Sequence, residues 1–166
     1  QGFCTEFVNT APIAVDPWNI YKQPVGTYLQ PTTGGQCPNV SPTRTIRYRI
    51  TVWKNPGTTG QMSLFNAKVE DAIPNGTGFN IISIPAGTSA TYTGGATGKV
   101  IWTLNNVLDA TPFTNSQMFE FEITYPSSAT SPISNVATLF GDLAKATPSP
   151  SPCGTVTRNS NSTCVA

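Results

Sequence analysis

The chain has 166 residues, a formal net charge of +1 and 10% charged residues, against about 25% in ordinary soluble domains. That balance offers no basic field for nucleic acid and no acidic solvating tail, and histidine is absent, which removes Ser-His and Cys-His pairs and most transition-metal sites. At this length one core can bury roughly 70% of the unfolded surface, and no apolar run approaches the ~18 residues of a membrane span.

The chain opens at Gln1 with neither a basic leader nor a long apolar stretch, as expected of an exported protein whose signal peptide has been removed. Residues 1–43 mix short β-prone pieces (Phe3, Phe7 and Val8; Ile13 and Val15) with Asp16-Pro17, Gln23-Pro24, Gln30-Pro31 and Gly34-Gly35. They read as an extended N-terminal arm, with Trp18, Tyr21 and Tyr28 as aromatic anchors against the domain that follows.

Residues 44–140 read as that domain. At 45–53, Ile46, Tyr48, Ile50 and Val52 alternate with Thr45, Arg47, Arg49 and Thr51, the period of two that marks a half-buried strand. Weaker runs follow at 63–70, 79–84 and 99–104. Period two returns at 118–125, where Phe119, Phe121, Ile123 and Tyr125 oppose Met118, Glu120, Glu122 and Thr124, and a further run covers 133–140. Tyr48, Trp102, Phe119 and Phe121 fall on inward phases and are assigned to the core. Six or seven short strands punctuated by Pro and Gly, with no long helix, predict an all-β antiparallel sandwich. The connections at 85–90, 93–98 and 109–115 are mostly small and polar, offering only Phe113 and nearby Tyr92 as rings.

Residues 141–166 carry the run Thr147-Pro148-Ser149-Pro150-Ser151-Pro152, a polyproline-type linker, into a cysteine-bounded tail. The cysteines are Cys4, Cys37, Cys153 and Cys164. An even count at wide spacing in an exported chain favours disulfides. Of the three pairings open, Cys4 with Cys37 and Cys153 with Cys164 are nearest in sequence and would tie arms that lack cores of their own, each link stabilising by roughly 2–4 kcal/mol.

Catalytic readings are poor. Glu120 and Glu122, at i and i+2 on one strand face, would stand ~6–7 Å apart, a distance compatible with glycoside hydrolysis, but the sequence around them supplies no sugar cleft and the bland reading is a solvated face. Glu70-Asp71 invites a calcium site, yet the neighbourhood is too poor in acids; Asp71 before Ala72-Ile73-Pro74-Asn75-Gly76 is expected to brace a turn through backbone N–H groups. No enzyme activity, metal or cofactor is expected. Asn39, Asn75 and Asn161 head Asn-x-Ser/Thr triplets and are candidate glycan acceptors.

Across residues 44–139 the chain resembles domain of unknown function eleven, a bacterial and archaeal surface-repeat family. The resemblance is carried by Ile46-Arg47-Tyr48-Arg49-Ile50-Thr51-Val52 with Asn55 and Gly57, by Asn66 to Pro74 with its Asp-x-x-Pro ending, by Val100 to Leu104, by the strand from Phe119 to Tyr125, and by Ser134-Asn135-Val136-Ala137-Thr138-Leu139, similar to the family's closing Asn-x-Ala-x-Val. It implies an immunoglobulin-like sandwich with a structural or adhesive role and no catalytic residues to carry over; the single unit and the cysteine-bearing arms depart from the family's tandem arrays. In such a sandwich the opening strand should lie beside the penultimate one, placing Arg47 and Arg49 opposite Glu120 and Glu122 in a cross-strand charge ladder.

The functional expectation is a secreted cell-surface protein whose partners are copies of itself: a subunit of an extracellular filament, sheath or surface layer. Open sheet edges with little charge invite strand addition, and two arm segments suit it, one bearing Phe3, Thr5, Phe7 and Val8, the other Thr155, Val156 and Thr157. The rival reading is a monomeric adhesion module that holds a glycan or protein.

Overall fold

The structure is a computed structural model that describes residues 18–25, 30–31, 38–39, 45–54, 63–104, 107–108, 116–126, 133–144, 154–160 and 163–165. Every regular element among them is a strand: β1 (Trp18–Val25), β2 (Gln30–Pro31), β3 (Pro38–Asn39), β4 (Thr45–Lys54), β5 (Ser63–Ala72), β6 (Gly78–Ser83), β7 (Ser89–Thr93), β8 (Lys99–Thr103), β9 (Val107–Leu108), β10 (Ser116–Thr124), β11 (Ile133–Asn135), β12 (Ala137–Ala144), β13 (Gly154–Asn159) and β14 (Thr163–Val165).

Two antiparallel sheets form a sandwich. One runs β1-β4-β10-β6; the other runs β13-β12-β5-β8-β7, with β9 also on β5, while β2-β3 and β11-β14 are separate two-stranded pairs. The strands alternate as their sequences do. Ile46, Tyr48, Ile50 and Val52 of β4 and Phe119, Phe121 and Ile123 of β10 are buried against Val69, Val100, Trp102 and Leu139 of the opposite sheet. Trp102 is the hub, its ring centroid 4.7 Å from that of Phe119 and 5.1 Å from that of Phe121. Each such side chain contributes roughly 1.5–3 kcal/mol by leaving water.

The sandwich takes in more chain than its sequence suggested. Residues 18–25, read as part of an arm, form β1, which pairs along its whole length with β4 from Trp18 opposite Lys54 to Val25 opposite Arg47. Trp18, read as an aromatic anchor, is buried in the core together with Ile20. Pro24 is tolerated because β1 is an edge strand, where a missing N–H need break no ladder. Between and partly within 85–90 and 93–98, taken as connections, Ser89–Thr93 is a strand whose Tyr92 stacks on Phe79 at 5.3 Å and donates its hydroxyl hydrogen to the Gly76 carbonyl.

A bulge adjusts β5. Phe140 opposes Lys68 but Asp142 opposes Phe65, and Asn66 absorbs the extra residue in the left-handed region at φ 50°, as such bulges require. Leu64 and Ala67 can therefore both face the core despite their odd spacing. Gly141 sits across from the bulge, where a Cβ would lie 2.5 Å from Leu64 Cδ1.

Candidate functional site

Three of the buried polar side chains among the described residues lie on inward strand phases of this apolar sandwich. Lys22 follows Trp18 and Ile20 on the inward phase of β1, Asp71 follows Ala67 and Val69 on that of β5, and Asn135 precedes Ala137 and Leu139 at the end of β11. All three are buried. Register explains the meeting of the last two: Ala137 lies directly opposite Asp71, and Asn135, two residues earlier, shares the inner face beside it.

Lys22 Nζ donates hydrogen bonds of 2.6 and 2.5 Å to Asp71 Oδ1 and Oδ2, with both side chains fully withdrawn from solvent. Its ammonium also lies 4.2 Å from the centroid of the Tyr48 ring and 5.7 Å from that of Phe121, so aromatic faces close the other side of the amine. Burial drives the Lys22 pKa down, with Asp71 opposing, and drives the Asp71 carboxyl up, with Lys22 and the nearby Asn135 opposing. Both shifts run toward the neutral forms. The hydroxyls of Tyr48 and Tyr125 complete the polar pocket, and burial pushes both upward, Tyr48 strongly.

Sequence reasoning placed Asp71 in a turn; instead it ends a strand and points inward, because Asp-x-x-Pro begins one residue before β5 finishes. Lys22 was passed over because the surrounding prolines masked the strand. The available signal was common to all three residues: each extends the apolar i, i+2 phase of its strand with a polar group.

On the outside of the other sheet, Arg47, Arg49, Glu120 and Glu122 share one face of neighbouring strands, Glu120 opposite Arg49 and Glu122 opposite Arg47. Instead of two rungs, one carboxylate gathers both cations: Arg47 Nη2 lies 2.7 Å from Glu120 Oε2, and Arg49 Nη2 lies 2.6 Å from Oε1. Hydrogen bonds from Arg49 and Arg47 hold the Glu120 carboxyl below the usual range.

The C-terminal segment expected to serve a neighbour, Thr155, Val156 and Thr157, lies in β13 against β12 of its own chain, opposite Asp142, Gly141 and Phe140. Val156 is buried, and Arg158 Nε donates to Asn19 Oδ1 of β1, closing that side of the sandwich. The opposite side ends in β6 and β7. Asn75 is exposed in a turn at φ 62°; Asn39 lies in β3, described only by its backbone. Phe3, Thr5, Phe7 and Val8, Cys4, Cys37 and Cys153, and Asn161 fall outside the described residues, as does the side chain of Cys164. Among the described residues no cluster of His, Cys, Asp and Glu could hold a metal ion.

The architecture is an immunoglobulin-like β-sandwich of the kind found in surface pilins. The chain superposes on the full-length major pilin SpaD of Corynebacterium diphtheriae with a TM-score of 0.51 and 15% identity, covering 89% of this chain and 34% of that one. On the Actinomyces fimbrial adhesin FimA the values are 0.51 and 11%, with 86% and 55% coverage, so the chain spans between about a third and about half the length of these proteins. No protein-family model matches the sequence, and no curated protein matches it; the resemblance to domain of unknown function eleven therefore rests on the residues quoted for it and on a sandwich consistent with it.

Proposed function

We propose that the chain is a structural subunit of an extracellular, cell-surface filament, sheath or surface layer, built from copies of itself by strand addition. The observation that carries this reading is the β6 edge. Its sequence Gly78-Phe79-Asn80-Ile81-Ile82-Ser83 contains no charge and no proline, and among the described residues Ile81 and Ile82 are exposed at the border of their sheet. Neighbouring β7, Ser89–Thr93, is likewise uncharged. Proteins that stay monomeric ordinarily guard such edges with lysine, proline or a covering loop. A donor is present in sequence at residues 3–8, where Phe3, Thr5 and Phe7 alternate with Cys4, Glu6 and Val8, and the exchange of β13 between copies is a second route.

The sandwich shared with the diphtheria pilin and the Actinomyces fimbrial adhesin supports the same role through fold alone. The alternative, a monomeric adhesion module, would use a recess such as the one of about 150 Å³ lined by Glu70, Lys99 and Phe140, among others.

Assembly is tested by following polymer formation of the purified chain by electron microscopy and light scattering, beside Ile82→Lys. The proposal expects wild type to form fibres in which a neighbour's arm adds to a sheet and buries more than ~1,000 Å², and expects the lysine variant to stay monomeric with unchanged circular dichroism. A wild-type chain that remains monomeric at all concentrations, or fibres indifferent to Ile82→Lys, would overturn assembly through this edge.

A further inference from the structure

Lys22, Asp71 and Asn135 come from strands at the beginning, middle and end of the sandwich and converge where water is excluded. Stability alone is a weak reason for such a trio, since a buried ion pair is often no better than apolar side chains of similar volume. Its chemistry is more specific. An amine, a carboxyl group and a carboxamide are together the components of an amide-forming reaction, with nucleophile, proton carrier and electrophile each on a different strand.

We propose that the folded chain joins Lys22 to Asn135 by an intramolecular amide bond, with Asp71 moving the proton. The neutral amine attacks Cγ of the Asn135 carboxamide. The Nζ–Cγ bond forms, the Cγ–Nδ2 bond breaks, and Nδ2 leaves as ammonia. One amine hydrogen stays on the new amide and the other reaches the leaving nitrogen through the Asp71 carboxyl, which ends the cycle as it began. Charge and atoms balance without an oxidant, nucleotide or metal.

Each feature of the site serves a step. Burial favours the neutral amine that a nucleophile requires and the protonated acid that can donate to the Asn135 carbonyl as negative charge develops there. The rings of Tyr48 and Phe121 cover the amine and keep out the water that would compete with it. Folding brings the reactants together, replacing a bimolecular encounter by a positioned one. The bond would fasten β1 to the strand leading into β12, so a pull on the two ends of the sandwich would bypass everything between residues 22 and 135. The reaction is independent of assembly and would occur in a monomer.

The experiment is protease digestion and mass spectrometry of the full folded chain. The expected product is a branched peptide containing both Lys22 and Asn135, lighter by one ammonia than its two parts. An amino-terminal glutamine loses the same mass on cyclising, so the branched peptide is decisive and intact mass is read against Lys22→Arg, whose deficit from its own sequence mass should be smaller than the wild type's by one ammonia. Asp71→Ala should lose the branch; because that variant could unfold, Asp71→Asn with its circular dichroism recorded serves beside it. Separate linear peptides for Lys22 and Asn135 from folded wild type would overturn the bond, and a full yield of branch in folded Asp71→Asn would overturn the role of Asp71.

Discussion

Two of the ionic clusters among the described residues of this sandwich use similar groups in opposite surroundings. Arg47 and Arg49 meet Glu120 on the outer face, where both arginine side chains keep about a third of their surface in water, while Lys22 meets Asp71 with none. Outside, solvent screens the attraction and each charge can be hydrated, so the cluster decorates strands already paired by β4 and β10. Inside, desolvation outweighs attraction and moves both groups toward neutrality. Ion pairing therefore adds to strands already in register in one place and prepares the proposed reaction in the other.

The largest effect is expected from Asp71→Ala, which strands the Lys22 amine in the core and removes its proton carrier. A loss of roughly 3–5 kcal/mol in urea unfolding is expected; a loss no greater than that of a surface mutant would put the two clusters on an equal footing. Replacing both partners, Lys22→Met with Asp71→Leu, leaves no buried charge and should regain at least ~2 kcal/mol over Asp71→Ala, measured in the same denaturant series. Glu120→Gln should cost less than ~1 kcal/mol, and that cost should shrink further at high salt.

Acid titration separates the clusters by sign. The folded Glu120 carboxyl is depressed by its arginines, so its contribution is complete above the unfolded glutamate value of about 4.3 and is lost as pH falls through the folded value. Asp71 is raised by burial, so its contribution is complete below the unfolded aspartate value of about 3.9 and is lost as pH rises through the folded value. In Lys22→Met, acidification should therefore stabilise through Asp71, and comparing that variant with and without Glu120→Gln by thermal melts isolates the opposing term.

How much of this was legible followed from how cleanly each strand keeps its phase. β4 and β10 alternate large apolar residues with charges, and both their places in the chain and the shared face of Arg47, Arg49, Glu120 and Glu122 could be read directly, though β10 begins earlier, at Ser116, than its alternation suggested. β7 could not, because Ser89-Ala90-Thr91-Tyr92-Thr93 carries one large side chain and otherwise reads as loop. β1 was obscured by Pro17, Pro24 and an inward lysine, so Lys22 looked like surface. The buried trio depends on cross-sheet contact between strands about 50 and 60 residues apart, and period two reveals which face a residue takes without naming what it meets there. Asn135 was visible only as part of the closing Asn-x-Ala pattern, while its place beside Asp71 came from the β12-β5 register.

The most direct test of the account is to pull single molecules from the two ends of the sandwich. A chain fastened between Lys22 and Asn135 should extend without releasing that stretch, roughly 400 Å when fully drawn out, and Lys22→Arg should restore the missing length. Full extension of the wild-type chain would show that its first and last strands are held by packing and hydrogen bonds alone, and would contradict the chemistry assigned to its buried centre.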